Sequence, residues 1–576
     1  MSSAKKKNTF FGGVAILTVG TILVKIIGAL YKIPLVNILG ESAYGDFNAA
    51  YNVYNFFLTI STAGLPVALS KMISEASALD RRNQVQKILR VALITFLVLG
   101  TVSFLCMSVL AGPMSNIIIN NSSAVYCVMA LSPAVFCVCV MSAFRGYAQG
   151  HSNMVPTTVS QIIESFLKLV VGLGLATLLV YLVLPRNIAA AGAAAGVSVG
   201  TIVALLYLIF QYIRARRGKI HRTADEPDDT RDILIRLLKL GIPITLGSAA
   251  VSIVTLIDTN LVMSQLKNIF SQIDAGTLTA VGGSGILAQS VDIFHAAQQT
   301  AQETLLKDPT AVIDVVENAA RNLYGTYSST MTVYNLPSAL MVPITASVIP
   351  AVSGCRARHD RLGASRISES ALRVGTLLCL PMGVGLFSLG TPIVKLLFRD
   401  LDASIAGPLL STLGLAAIFV CVMLICNSIL QAHGMVNLPI LTVVVGGIVK
   451  LIVNWTLVGN TDIMIFGAPV GTLCCFAIVA VMDLIIIYRV IPAPPSYSKV
   501  FLKPLIAAVL MGAAAWGAYG LLTNFLHLSN TLATIGSICV GGVVYVVLVL
   551  ALRVISKEDL ALMPKGDKIA KILHIR

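Results

Sequence analysis

Apolar stretches of about 20 residues recur along the whole chain and constrain it more than any other feature. A soluble domain cannot bury that many such runs. A bilayer core of about 30 Å is crossed by a helix of roughly 20 apolar residues. Composition agrees: 56% of the 576 residues are hydrophobic and 12% are charged, against roughly 25% charged in an ordinary soluble domain. About fourteen spans can be drawn, at 11–39, 47–70, 88–111, 122–143, 156–182, 188–212, 235–263, 324–351, 372–397, 406–431, 437–458, 466–488, 501–525 and 530–552. The expected class is an all-α polytopic membrane protein.

The net charge of +15 does not point to nucleic acid. The basic residues sit in short loops between apolar runs and form no single basic face laced with aromatics. Alternate loops carry Lys5 to Lys7; Lys71, Arg81, Arg82 and Lys87; Arg145; Arg214, Arg216, Arg217, Lys219 and Arg222; Arg356, Arg358, Arg361 and Arg366; Lys499 and Lys503; and Lys565, Lys568 and Lys571. The loops between them are nearly free of basic residues. By the positive-inside rule both termini are cytoplasmic, in a multi-pass protein of the cell membrane. The first apolar run is too long for the core of a signal peptide and no small-residue cleavage site closes it, so it reads as a retained helix. The cysteines lie mostly within apolar runs without zinc spacing to histidines, and read as buried reduced thiols.

One outside loop is unusual. Residues 264–323 are too long for a turn and too polar to span, with Asp274, Asp292, Glu303, Asp308, Asp314 and Glu317 against Lys267, Lys307 and Arg321. They read as an extracytoplasmic insertion, helix-like from Ile286 to Asn322, that is either simply tolerated or lies on the membrane surface.

The chain also repeats itself. Tyr44-Gly45-Asp46-Phe47-Asn48 opens the second span and Val53-Tyr54-Asn55 follows; Tyr324-Gly325-Thr326-Tyr327-Ser328 opens the eighth, and Val333-Tyr334-Asn335 follows at the same spacing. Each span then has a proline, Pro66 or Pro343. Gln149-Gly150-His151 through Pro156 is echoed by Gln431-Ala432-His433 through Pro439. Spans 1–6 therefore resemble spans 7–12, and an even repeat number gives two halves of the same orientation. Parallel repeats of this kind build transporters with a central site between two bundles. The expected organisation is a six-helix lobe at 1–232, a second at 233–490, two extra helices at 491–553 and a basic cytoplasmic tail at 554–576.

A charge at the centre of a span costs about 2.5–3.5 kcal/mol on insertion scales. Lys25 lies in mid-span, and Lys32, seven residues on, shares roughly the same helix face. Gly28 and Pro34 allow a bend in this helix. Lys32 either faces a cavity or snorkels outward. Glu164 and Lys168, four apart, read as a self-neutralising pair. Asp258 lies in span 7, and Lys450 in span 11 is a possible partner for it. Asp483, near the cytoplasmic end of span 12, reads as solvated. Two lysines on one face suit a phosphate or diphosphate. Asn52, Asn55, Asn335 and Tyr54 would add neutral hydrogen bonds, or else serve as interhelical glue.

No Gly-x-x-x-x-Gly-Lys-Ser/Thr loop, no His-Glu-x-x-His and no soluble catalytic domain is visible, and Gly282, Gly283 and Gly285 read as a flexible turn. We therefore expect no enzyme activity, no cofactor, no metal, no ATP and no nucleic-acid partner.

Lys25-Ile26-Ile27-Gly28, Leu39-Gly40, Tyr44-Gly45 and Thr62-Ala63-Gly64-Leu65-Pro66-Val67-Ala68-Leu69-Ser70-Lys71 resemble the start of Gram-positive flippases in the polysaccharide-export branch of the multidrug/oligosaccharidyl-lipid/polysaccharide superfamily. Arg145-Gly146-Tyr147-Ala148-Gln149-Gly150, with Asn153 and Pro156, resembles the arginine-glycine-aromatic motif after their fourth helix. The branch includes the stage V sporulation protein B group and relatives that act as lipid II flippases. The resemblance implies a two-lobed bundle with a cationic cavity, alternating access, and a groove for the polyprenyl tail formed by the two extra helices. It aligns Lys25 with a cavity arginine and Asp46 with an acid near the start of the second helix. Tyr31 stands where a second cavity arginine is expected, next to Lys32. Met331 and Thr332 stand where span 8 would carry an acid and an arginine. The implied function is translocation of an undecaprenyl-diphosphate-linked saccharide, lipid II first among them, with membrane lipids and cell-wall or sporulation proteins as partners. Alternatives are another polyprenyl-linked polysaccharide unit, a multidrug or cation antiporter of the same superfamily, and a non-transporting sporulation or division scaffold.

Overall fold

A computed structural model describes residues 2–62, 64–151, 153–216, 225–278, 285–307, 314–357, 359–435, 437–490 and 496–552. Arg217, Lys219, Arg222, Gly282, Gly283, Asp308, Arg358 and the tail 554–576 lie outside the described residues.

Among the described residues the chain is helical, with no strand. The principal helices are α1 (Ser2–Leu39), α2 (Glu41–Thr62), α3 (Leu65–Ala78), α4 (Arg82–Val109), α5 (Val125–Gly150), α6 (Val155–Leu167) and α7 (Leu173–Tyr181). Then come α8 (Arg186–Arg216), α9 (Thr230–Asp274), α10 (Ile286–Lys307), α11 (Val315–Ala357), α12 (Arg361–Ser388) and α13 (Gly390–Leu397). The last are α14 (Ala403–Ala432), α15 (Asn437–Val458), α16 (Gly467–Val490), α17 (Tyr497–Asn524) and α18 (Asn530–Ala551). Among the described residues, 11 helical stretches are long and apolar enough to cross a membrane. The remaining expected spans fall on α1, α9 and α11. Many large apolar side chains are exposed, Phe210 at 62% and Trp516 at 68% among them. In water such surface would drive aggregation; against lipid it is ordinary.

Three expectations about elements are corrected. The second span is two helices, because Pro66 has no amide hydrogen to continue α2 and sits instead in the first turn of α3. The ninth is likewise divided into α12 and α13 at Leu389. The stretch 264–323 is helical from Ile286, as expected, but α9 also continues into it to Asp274, and two helices, α10 and the start of α11 at Val315, occupy what was read as one. It carries a small core of its own, in which Phe270 stacks on Phe294 with ring centres 6.2 Å apart. Lys267 and Glu317 pair at 2.8 Å beside it.

The chain folds into two compact units. Unit 1 comprises Met1–Ser264 and Ala320–Gly325; unit 2 comprises Gln265–Ala319 and Thr326–Arg576. In unit 1, α5 is the central helix and packs against α2, α3, α4 and α8. Leu69, Ile73, Ile88 and Phe96 form its core, which Ile233 and Leu237 of α9 complete. By its packing the first part of α9 thus goes with unit 1, whereas the sequence repeat groups it with the spans that follow. The matched glycines of the repeat also meet in unit 1: a Cβ on Gly45 would lie 3.1 Å from the Gly325 Cα. Only hydrogen at both positions permits that backbone approach, the usual device where helices cannot rely on a hydrophobic driving force.

In unit 2, α14 packs against α12 and α16, and α15 against α16. Leu372, Cys379, Ile425 and Ile429 are core residues. Helices α17 and α18 pack on each other and on α12. Thr376 donates to the Val500 carbonyl at 3.1 Å and Tyr545 to the Leu377 carbonyl at 2.8 Å. Asp483 is fully buried, not solvated: Thr442 donates to its Oδ1 at 2.8 Å, and its Oδ2 has no hydrogen-bond partner. The apolar flanks of α14 and α15 close over a position that sequence distance from the span end suggested was wet.

Candidate functional site

Unit 1 gathers three lysines from two parts of the chain. Lys25 and Lys32 lie on α1, Lys25 exposed and Lys32 half-buried. Lys168 opens a π-helical turn, Lys168–Gly172, between α6 and α7, and α1 packs against both this turn and α6. Such wide turns occur often at functional positions. The turn fits here because Gly172 is small: a Cβ there would lie 2.9 Å from the Tyr31 ring.

Lys32 and Lys168 face aromatic rings. Lys168 Nζ lies 4.9 Å from the Tyr31 ring centre and 4.5 Å from that of Tyr51, and donates to the Tyr51 hydroxyl at 3.1 Å. Lys32 Nζ lies 5.6 Å from the Tyr51 ring centre. Lys168 and Lys25 both repel the Lys32 ammonium. The rings are fixed by their own neighbours: Tyr31 is buried and donates to the Ala193 carbonyl at 3.1 Å, and Phe47 stacks on Tyr51 at 5.7 Å. Ring quadrupoles stabilise an ammonium by about 0.5–2 kcal/mol but leave its charge in place. Among the described residues, none of the three lysines has a carboxylate within ion-pair distance. The site therefore carries uncompensated positive charge and is suited to a polyanion.

Sequence spacing misassigned Lys168. The expected Glu164–Lys168 pair is not made; Glu164 instead pairs with Arg145 at 3.1 Å, and Arg145 also donates to Ser160 at 3.0 Å. The longer, forked guanidinium reaches across from α5 and takes the carboxylate. The signal was Arg145, a cation two residues past the end of the fourth apolar run, close enough to the membrane to need a partner.

The other expected residues are dispersed. Asp46 is fully buried at the start of α2, where it accepts from Arg321 Nε at 2.8 Å and from Asn121 Nδ2 at 2.8 Å, and pairs with the Arg321 Nη2 as well. Asn52 donates to Thr259 at 3.1 Å and so joins α2 to α9. Asn55 is half-buried on α2, and Asp258 is buried on α9. In unit 2, Asn335 is exposed and donates to the Met331 carbonyl of its own helix at 2.7 Å. Lys450 is half-buried on α15. Asp258 and Lys450 fall in different units.

A family profile described as polysaccharide biosynthesis protein matches residues 10–355, well over half of the chain. The chain belongs to the polysaccharide biosynthesis protein family. A second profile, lipid II flippase MurJ, matches residues 320–535. Stage V sporulation protein B of Bacillus subtilis is 23% identical over 97% of this chain and 98% of its own length. The uncharacterized membrane protein YabM of the same organism is 24% identical over 99% and 98%. Among solved structures, lipid II flippase MurJ in an inward closed conformation aligns with a TM-score of 0.65 at 14% identity, covering 93% of this chain and 98% of that one. The family member described here is therefore a multi-pass membrane protein of the multidrug/oligosaccharidyl-lipid/polysaccharide flippase superfamily, and not an enzyme.

Proposed function

We propose that this protein moves an undecaprenyl-diphosphate-linked saccharide, lipid II being the leading substrate, from the inner to the outer leaflet of the cytoplasmic membrane by alternating access. The observation that carries the reading is the Lys25, Lys32 and Lys168 group. A diphosphate offers several acceptor oxygens and about two negative charges, which matches ammonium groups facing rings and hydroxyls. Lys32 and Lys168 hold the diphosphate, and exposed Lys25 draws it in. The Tyr51 hydroxyl orients Lys168. An organic cation has no reason to enter this site, which disfavours a cation antiporter. The full-length likeness to stage V sporulation protein B and the partial match to the MurJ profile support the lipid-linked substrate class.

The alternating basic loops support cytoplasmic termini. In that orientation the membrane potential assists export: a headgroup of charge about −2 leaving a negative interior gains about 4–5 kcal/mol per 100 mV if it crosses the whole field. Helices α17 and α18 offer exposed apolar surface for the polyprenyl tail.

The test is replacement of an essential lipid II flippase in a depletion strain, with wild type, Lys32→Gln and Lys168→Gln at matched expression and outer-leaflet lipid II as readout. Rescue by wild type alone is expected. Rescue by all three removes the lysines from the mechanism. Rescue by none moves the substrate to another polyprenyl-linked glycan.

A further inference from the structure

The arginine-glycine-tyrosine motif at the end of α5 contributes more than the Arg145 ion pair. Its tyrosine, with residues that follow it, lines a cavity of about 370 Å³ in unit 1, closed by the first turns of α4 and the last turns of α8. That size lies within the range of small-molecule sites. We propose that this cavity is a binding site for an uncharged pyranose, separate from the lysine group.

Three aromatic rings form its wall. Tyr212 stands 5.6 Å from both Phe144 and Tyr147, at 56° and 86° to them. Rings set at such angles present both faces and edges, and a sugar's C–H surface packs on ring faces while its hydroxyls remain free at the rim. The rim supplies neutral groups that both donate and accept: the amides of Gln86, Gln211 and Asn153. Sugar hydroxyls have the same dual character. Gln211 Nε2 is oriented by the Tyr207 hydroxyl at 3.1 Å. The His151 ring lies 4.5 Å from that of Tyr147, with its Nδ1 held 3.0 Å from the Tyr147 carbonyl oxygen, which leaves Nε2 for a ligand.

Charge decides between ligand classes. Among the described residues lining the cavity, none is Asp, Glu, Lys or Arg. Among those lining residues a phosphate finds no counter-charge, and a quaternary ammonium no acid to complement the rings. A neutral polyol needs neither. The cavity lies where α4 begins and α8 ends, next in sequence to Arg81 and Arg82, while Leu206 and Phe210 on α8 are exposed at 59% and 62%. This boundary between apolar and charged surface is where the head of a glycolipid, or a soluble sugar, would meet the protein.

The test uses the full-length protein in lipid nanodiscs with N-acetylglucosamine and methyl glucoside as probes, and choline and inorganic phosphate as comparisons. Saturation-transfer NMR reads binding in wild type, Tyr212→Ala and Gln211→Leu, with the exposed, distant Tyr126→Ala as control and thermal unfolding confirming that each variant is folded. A second arm places a neutral glucosyl lipid with a photoreactive sugar in the disc and maps labelled peptides, which separates a lipid headgroup from free sugar. We expect sugar signal or labelling at the cavity in wild type and Tyr126→Ala, weakened about five- to tenfold in the two cavity variants. Absence of both signals, equal signals in every variant, or cavity-dependent binding of choline or phosphate without sugar each overturns the proposal. Lys32→Gln should keep the sugar signal, so failure of the diphosphate reading and failure of this one are told apart.

Discussion

The Asp46–Arg321 pair offers the most demanding test of the structure. Asp46 is inaccessible to solvent and Arg321 is 9% exposed. The carboxylate accepts from Arg321 Nε at 2.8 Å and Asn121 Nδ2 at 2.8 Å and pairs with a second guanidinium nitrogen. Arg321→Met keeps most of the side-chain volume but takes the guanidinium away from buried Asp46, to which Asn121 still donates. Asp46→Leu removes the carboxylate that both Arg321 Nε and Nη2 address. Breaking one side of such a pair costs about 3–5 kcal/mol, because the charge left behind stays withdrawn from water and loses its counter-charge. Removing both partners together abolishes two desolvation penalties at once and is often close to neutral. Each single variant should therefore lose about 3–5 kcal/mol, and the double variant less than the larger single loss. The coupling energy, beyond about 3 kcal/mol, lies far outside the few tenths expected of independent sites. Equilibrium unfolding in mixed dodecyl maltoside–SDS micelles, followed by helical signal, measures all three. Single losses under about 0.5 kcal/mol, or additive ones, would refute the buried pair.

Further outcomes follow from other contacts. Arg145→Ala should lower stability by about 1.5–3 kcal/mol through loss of a largely buried charge-assisted bond to Glu164, whereas Lys168→Gln should leave stability nearly unchanged and reduce flipping; thermal unfolding beside a leaflet-exposure assay separates them. Gly325→Val should cost about 1–3 kcal/mol or block folding, since its first added carbon would run into the Glu41 carbonyl; expression and detergent stability report this. Asp483→Asn should change stability by less than about 1 kcal/mol, because one oxygen already lacks a partner and the other still accepts from Thr442. Dissipating the membrane potential in proteoliposomes should slow translocation, and indifference to it would remove the potential as the driving force.

The sequence was most informative where the solvent dictated the answer. Lipid permits only fully hydrogen-bonded backbone, so every long apolar run had to be a helix, and helices occupy all the expected spans. Breaks were harder to see. Pro66 lies in the second half of a single expected span, yet its missing amide hydrogen marks where that span passes from α2 into α3. Within 264–323 the helical character from Ile286 onward was legible, but Phe270 and Phe294 were too far apart in sequence to suggest that they stack.

By itself the sequence determined the class of the protein, the number and order of its spans, the repeat, and the presence of unpaired-looking lysines in α1. Those are properties of composition and period, which a chain carries whatever its neighbours. Tertiary structure alone decided the partners. Four residues of spacing offered Glu164 to Lys168, but helix packing offered it to Arg145, which released Lys168 to join Lys32 beside Tyr51. Asp46 matched a substrate-site acid by alignment, and the approach of Gly325 to Gly45 brought Arg321 onto it instead. Charges inside a membrane protein are too costly to leave alone, and which of them meet is set by how helices pack, at sequence separations that no local pattern reports.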